Sequence, residues 1–176
     1  AHPELLTNGT DWQRELFSTA FMHNHSVNIS GGTDDMNYSI SAGYLNQDGV
    51  ALGSGFDRMS IRSNFDTKVT KWLQVGTNLY YANTKQLNTF STGSVIATAL
   101  DQFPDVAPKN PDGTYAMPQA NSMSTYYTNP IFEANMRENK DNHYSVDYNV
   151  FANLTPIKGL SIRIEYGGNR GWLNNY

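Results

Sequence analysis

The sequence predicts an all-β fold, an antiparallel up-and-down meander of about six strands that forms part of a larger transmembrane β-barrel. Three observations carry this expectation. Apolar residues recur at every second position in six stretches, the links between those stretches alternate between short and long, and the stretches themselves are long. At about 9 to 13 residues, most match a strand tilted across a bilayer better than the ~5 to 6 residues usual in soluble sheets.

The first stretch is HNHSVNISG, in which Val27 and Ile29 alternate with Asn24, Ser26, Asn28 and Ser30. In NYSISAGYLNQDG, with Met36 just before it, one face carries Met36, Tyr38, Ile40, Ala42 and Tyr44, and the other Asn37, Ser39, Ser41 and Gly43. DRMSIRSNFDTKV sets Met59, Ile61, Phe65 and Val69 against Arg58, Ser60, Arg62, Asn64, Asp66 and Lys68. LQVGTNLYYA sets Leu73, Val75, Thr77, Leu79 and Tyr81 against Gln74, Gly76, Asn78 and Tyr80. HYSVDYNVFANL follows with Tyr144, Val146, Tyr148, Val150, Ala152 and Leu154 against Ser145, Asp147, Asn149 and Asn153. Last, LSIRIEYGG opposes Leu160, Ile162, Ile164 and Tyr166 to Ser161, Arg163 and Glu165. Because strand side chains alternate between faces, each segment has one apolar face and one polar face with little on it to fill a core.

The links are GGTDD (31–35), TK (70–71) and PIKG (156–159), all tight and turn-forming, against the longer QDGVALGSGF (47–56) and the connection 85–142. In an up-and-down sheet, strict alternation gathers the short turns at one end and the long loops at the other, which is the plan of an outer-membrane barrel. Tyr44, Tyr81, Tyr144 and Tyr166 fall toward the long-loop ends of their stretches, where an aromatic girdle would place them. The high β-propensity of tyrosine is the alternative explanation. Transmembrane barrels need at least about 8 strands to close, and an open sheet would leave edge N–H and C=O groups unpaired against lipid. A piece of a larger barrel is therefore expected. The alternative is a soluble β-sandwich binding module, an adhesin or carbohydrate-binding domain, with its apolar faces packed on each other.

Composition agrees with a polar but weakly charged wall. The chain has 176 residues, enough for one domain, and only 16% are Asp, Glu, Lys or Arg, against roughly 25% in typical soluble domains. Asn, Ser, Thr and Gly fill the difference, so the mean hydropathy of −0.54 reflects amides and hydroxyls. A net charge of −4 gives no basic footprint for nucleic acid. The lack of cysteine rules out disulfides and thiolate chemistry. No run approaches the ~20 apolar residues of a membrane helix, so only strands could cross a bilayer. The opening AHPELL has no Met, basic n-region or apolar h-region, which fits a removed signal peptide or an internal fragment.

No enzyme chemistry is read from these residues, and no cofactor is expected. His23 and His25 share a strand face, but no further ligand accompanies them at metal-site spacing, so no metal is expected either. NPDGTY (110–115) has the Asp-Gly of a calcium loop without its alternating acids, and reads as a turn. Asp147, Arg163 and Glu165 alternate with apolar residues and are expected on the lumen face, where solvated charge tunes passage. Within the long connection, GSVIATALDQF places Val95 or Ile96, Ala99, Leu100 and Phe103 on one helical face before Pro104 ends the helix, a packing stripe. Phe103, Tyr115, Tyr126 and Tyr127 are candidate substrate- or partner-contacting residues, because exposed aromatics suit sugar stacking or a protein lid.

Taken in order, TDWQRELFSTA, NHSVNISGGTDDMNYSISAGYLNQDGV and FDRMSIRSNFDTKVTKWLQVGTNL resemble the start of the barrel in the SusC/RagA family of TonB-dependent outer-membrane transporters. ATALDQFPDVAPKNPDGTYA resembles that family's short helical segment in a long outer loop. The collinear series covers most of the chain and is weakest over 119–140. It implies a 22-stranded type of barrel with an N-terminal plug, a SusD-like surface lipoprotein as lid, and import of oligosaccharides or peptides driven by the TonB complex through parts this segment lacks. It further implies the outer membrane of a Gram-negative bacterium, in the Bacteroidota, with membrane lipid around the barrel. On that plan residues 1–22 are an extracellular lead-in, 23–84 hold four strands, 85–142 form a long extracellular loop and 143–170 hold two strands.

Overall fold

Most side chains at every second position in these segments are small or polar, so the strands gain order by pairing with neighbours rather than by packing on a second layer. The structure, a computed structural model, describes residues 9–89, 92–117, 128–136 and 138–175. Strands β1 (Met22–Gly32), β2 (Met36–Asp48), β3 (Gly55–Lys68), β4 (Leu73–Thr89), β5 (Glu138–Ile157) and β6 (Leu160–Asn175) form one antiparallel sheet in chain order. The sandwich alternative required Val27, Ile61 and Val146 in a common interior. Instead they lie side by side on one face, with Val27 63% and Ile61 39% exposed.

Register keeps that face continuous. One row across all six strands reads Ile29, Ile40, Ser63, Leu79, Tyr148, Gly168. Four positions nearer the long-loop end the row is His25, Tyr44, Met59, Asn83, Tyr144, Trp172, and two further on it is His23, Asn46, Asp57, Lys85, Asn142, Asn174. The apolar band thus ends in aromatics and gives way to polar side chains on the same face.

Two expectations change here. β4, β5 and β6 are 17, 20 and 16 residues long, so the long connection is 90–137 rather than 85–142, and the last strands span 138–175 rather than 143–170. Beyond the aromatic row both faces are polar, which erases the period-two signal in the sequence. Tyr166 is also not at the long-loop end, because β6 continues well past it and it pairs with Val150. Trp172 takes the place beside Tyr144, the two rings stacked 5.4 Å apart.

Some glycines inside the strands have close aromatic neighbours. Phe151 covers Gly76 and Tyr148 covers Gly168 from the facing strand, so a Cβ at either glycine would run into the ring. The ring supplies the packing that the glycine lacks.

Among the described residues the buried core cluster lies in the lead-in and loops. Helices α1 (Trp12–Leu16), α2 (Thr92–Asp101) and α3 (Pro130–Met136) contribute Trp12, Leu16, Val95, Ala99, Ile131 and Ala134 to it. The predicted helix in the long connection is α2, but its packing stripe is Val95, Ile96 and Ala99. Leu100 is 58% exposed, because the buried face continues through Gln102 rather than through Leu100 and Phe103.

Candidate functional site

At the long-loop end the core joins three chain segments into a cap. Asp11 accepts a hydrogen bond from the Arg14 amide at 3.0 Å and starts α1, whose Trp12 and Leu16 lie one turn apart on the buried side. The Trp12 indole donates to the Phe103 carbonyl at 2.9 Å, and the Thr10 hydroxyl donates to the Val106 carbonyl at 2.8 Å. On the other side the Leu52 amide donates to the Leu16 carbonyl at 2.9 Å, and the Ser18 amide to the Val50 carbonyl at 2.9 Å. The lead-in segment therefore ties the β2–β3 loop to the β4–β5 connection.

Two residues fix α3 in this cap. Asn129 is fully buried and uses both ends of its amide: Oδ1 caps α3 by accepting from the Ile131 and Phe132 amides, while Nδ2 donates to the Pro108 and Ala116 carbonyls at 2.8 Å each. Gly53, at φ +77°, stands where a Cβ would strike the Ala134 carbonyl. Only glycine fits both the backbone angle and the close approach of α3.

Of the four aromatic candidates, the structure places two. Tyr115 packs against the cap core, meets Phe132 edge-on at 5.6 Å and lies 5.6 Å under the Lys109 ammonium. It also borders an open hollow of about 560 Å³ with Glu15, Leu52, Pro108, Lys109 and Asn135. Phe103 is half-buried and works through its carbonyl, which holds Trp12. Tyr126 and Tyr127 lie outside the described residues. Beside Tyr115, residues 109–115 form a tight turn in which Asp112 accepts from the Thr114 hydroxyl at 2.6 Å and the Thr114 amide at 3.0 Å. The hydroxyl bond first, then the amide bond, holds the Asp112 carboxyl below its ordinary value.

The polar face of the sheet forms a hydrogen-bonded wall. From β2 to β6, Asn37 and Gln74 donate to Asp66, Asn153 donates to Gln74, and Arg163 donates to Asn153, all within 2.9 to 3.4 Å. Arg163 pairs with Glu165 at 3.0 Å and lies 4.2 Å over the Phe151 ring, while Asn149 donates to Glu165 and Asn78 to Asn149. Asn169 donates to Asp147 on the same face. The predicted charges Asp147, Arg163 and Glu165 do share the polar face. Near its long-loop end the face carries a second hollow of about 390 Å³ where Gln86 donates to Asn88 and Asn88 to Asp141, beside Phe56. Aromatic faces, amides and carboxylates in water suit reversible contact with polar solutes.

His23 and His25 are neighbours, ring centroids 5.1 Å apart, in an aromatic group with Phe21 and Tyr44. Among the described residues no three His, Cys, Asp or Glu side chains group to hold a metal. The sequence reading missed α1 and Asn129. Signals for both were present: Asp11 ahead of a Trp-x-x-x-Leu spacing, and Asn129 just before a proline at the first helical position.

No family model matches the chain. It is 36% identical over 168 residues to TonB-dependent receptor P3 of Formosa agariphila, covering 90% of this chain and 16% of that protein. To TonB-dependent receptor SusC of Bacteroides thetaiotaomicron it is 33% identical over 99 residues, 55% of this chain and 10% of that one. Among solved structures, the RagAB peptide importer in its closed-closed state superposes on 94% of this chain and 19% of its own, with TM-score 0.74 and 30% identity. A second structure, of the RagAB peptide transporter, gives TM-score 0.72 at 31% identity. The chain therefore spans less than a fifth of the length of these relatives.

Proposed function

Because the chain belongs to the SusC/RagA family of TonB-dependent receptors, as a piece of the barrel, we propose that the intact protein is an outer-membrane transporter that imports an oligosaccharide or a peptide. It works with a SusD-like surface lipoprotein and draws energy through TonB. The observation that carries this reading is the superposition of nearly the whole chain on a solved peptide importer, together with one sheet in chain order that bears an exposed apolar face. Covalent chemistry has no part in it. The polar face lines the passage, the apolar face meets lipid, and the cap stands outside the membrane toward the lipoprotein and the incoming solute.

Backbone economy supports the placement of the cap. Irregular chain cannot sit against hydrocarbon with unpaired N–H and C=O groups, so the connection 90–137 belongs in water or against protein. Tyr115, beside an open hollow, and Tyr126 and Tyr127 in the same connection are the residues proposed to touch solute or lid; Phe103 serves by holding Trp12 in place.

The test uses the full-length receptor in its own cells. Uptake of the solute should stop when TonB is removed, and the lipoprotein should copurify with the receptor. Loosening the cap with Trp12→Ala and Leu16→Ala together should reduce both copurification and uptake while the receptor still reaches the outer membrane. Wild-type assembly and uptake in that variant would reduce the cap to surface covering, and uptake that ignores TonB would reject the transporter reading.

A further inference from the structure

On the polar face, near the long-loop end, register brings Gln47, Phe56, Gln86 and Asp141 into one row across β2 to β5. Beside this row the β2–β3 loop folds back so tightly that a Cβ on Gly49 would strike the Ser54 hydroxyl oxygen. The Gly49 amide donates to the Ser54 carbonyl at 3.0 Å, and the Ser54 hydroxyl donates to the Ala51 carbonyl at 2.6 Å. The loop so fixed backs the hollow of about 390 Å³ that Phe56, Gln47, Gln86 and Asn88 line, a size within the range of small-molecule sites. Its amides are held in advance: Gln86 donates to Asn88 at 2.8 Å, and Asn88 to Asp141 at 2.7 Å. Among the described residues, the Gln86 side chain keeps its second N–H and its carbonyl oxygen without a partner, and Asp48 is the one charged residue in the lining.

We infer that this hollow is a subsite for one ring of a neutral oligosaccharide at the mouth of the passage, an inference that rests on the transporter reading and chooses between its two solute classes. Shape and polarity are the first reason. The half-buried Phe56 ring offers a flat apolar surface to the C–H face of a pyranose, while the Gln86 amide presents a donor and an acceptor side by side, the pairing that neighbouring hydroxyls match. The Asp48 carboxylate accepts from further hydroxyls. Exclusion of the other solutes is the second. An anionic solute meets a carboxylate and no cation in the described lining. A peptide held in extended form pairs its main chain with a free strand edge, and β2, β3 and β4 are each already paired on both sides, so the hollow offers side chains alone. The solute that uses all of these groups is uncharged, rich in hydroxyls and apolar on one face.

Calorimetric titration of the full-length receptor, extracted from the outer membrane and separated from its lipoprotein, tests this. The probes are neutral gluco-, xylo-, manno- and galacto-oligosaccharides, an oligogalacturonate as the anionic sugar, and a mixture of tryptic peptides. A neutral oligosaccharide should bind the wild type. Phe56→Ala and Gln86→Ala should each weaken that binding about tenfold, the effect of one lost stacking surface or one lost amide pair. Phe56→Trp should keep it, and Met59→Ala, on the apolar face of the same strand, should bind as the wild type does. No binding of any neutral probe, binding of the oligogalacturonate or the peptides alone, or neutral binding that ignores both Phe56→Ala and Gln86→Ala overturns the inference. Uptake measured in cells separates this failure from that of the underlying reading. TonB-dependent uptake of the peptides would leave the transporter standing while the sugar subsite falls, whereas uptake independent of TonB would reject the transporter itself.

Discussion

Trp12 and Leu16 in the cap are 3% and 1% exposed, whereas Val27 and Ile29 in β1 are 63% and 62% exposed. Burial in the cap is internal: three helices and two loops exclude water from one another. The sheet has register and a continuous apolar face that, among the described residues, nothing covers, so its burial has to come from the surroundings, which in the proposed setting are lipid. The same residue types thus stabilise one region through the chain itself and the other through the bilayer. The two regions should respond differently to substitution.

The largest effect is expected from Trp12→Ala, at about 3 to 5 kcal/mol, the usual cost of emptying a buried tryptophan site. Hydrogen exchange on the full-length receptor should show the cap opening while the ladder of β2 to β5 keeps its protection. If the sheet loosens equally, the two regions are one cooperative unit. Asn129→Ala comes next, at about 2 to 4 kcal/mol, from a lost helix cap plus two carbonyls left without their donor. Asn129→Asp sharpens the comparison, since it keeps the cap acceptor but turns an oxygen toward Pro108 and Ala116. Its exchange rates should resemble those of the alanine variant.

Smaller effects are expected in the wall. Phe151→Ala uncovers Gly76 and removes the ring under Arg163, which should cost about 1 kcal/mol in folding into bilayers. The smallest effect is one of pH. Asp112 has its carboxyl pKa lowered in the fold by Thr114, so the stabilisation it gives the 109–115 turn is present above the ordinary value of 3.8 and is lost as pH falls below it through the lowered folded value. Protection of the Thr114 amide, its exchange rate relative to the intrinsic rate at each pH, should be constant from neutral pH down to that point and fall below it. Asp112→Asn should remove the dependence.

Period-two patterning made the sheet legible because its apolar band is regular: Met36 to Tyr44 keeps strict alternation, and Leu73 to Tyr81 departs from it only at Thr77 and Tyr80. Past the aromatic row the pattern fails, since Asn46, Asp57, Lys85 and Asn142 are polar on the face that was apolar below, and no alternation marks those strand ends. The cap was harder for another reason. Its core is assembled from residues far apart in sequence, Trp12 with Val95 and Ile131, so no single segment displays it. Tyr115 was a contact candidate as one of several aromatics in the long connection, but its packing on Phe132 depends on that distant assembly.

The most direct test compares the two faces at matched depth. Single arginine substitutions in the full-length receptor, Leu79→Arg on the apolar face and Asn149→Arg in the adjacent row on the polar face, would be folded into bilayers and their unfolding free energies measured. Leu79→Arg should cost about 2 to 4 kcal/mol, the penalty of a cation placed against hydrocarbon near mid-membrane, and Asn149→Arg should cost well under half of that. Equal costs on the two faces would contradict the assignment of one face to lipid and the other to the passage.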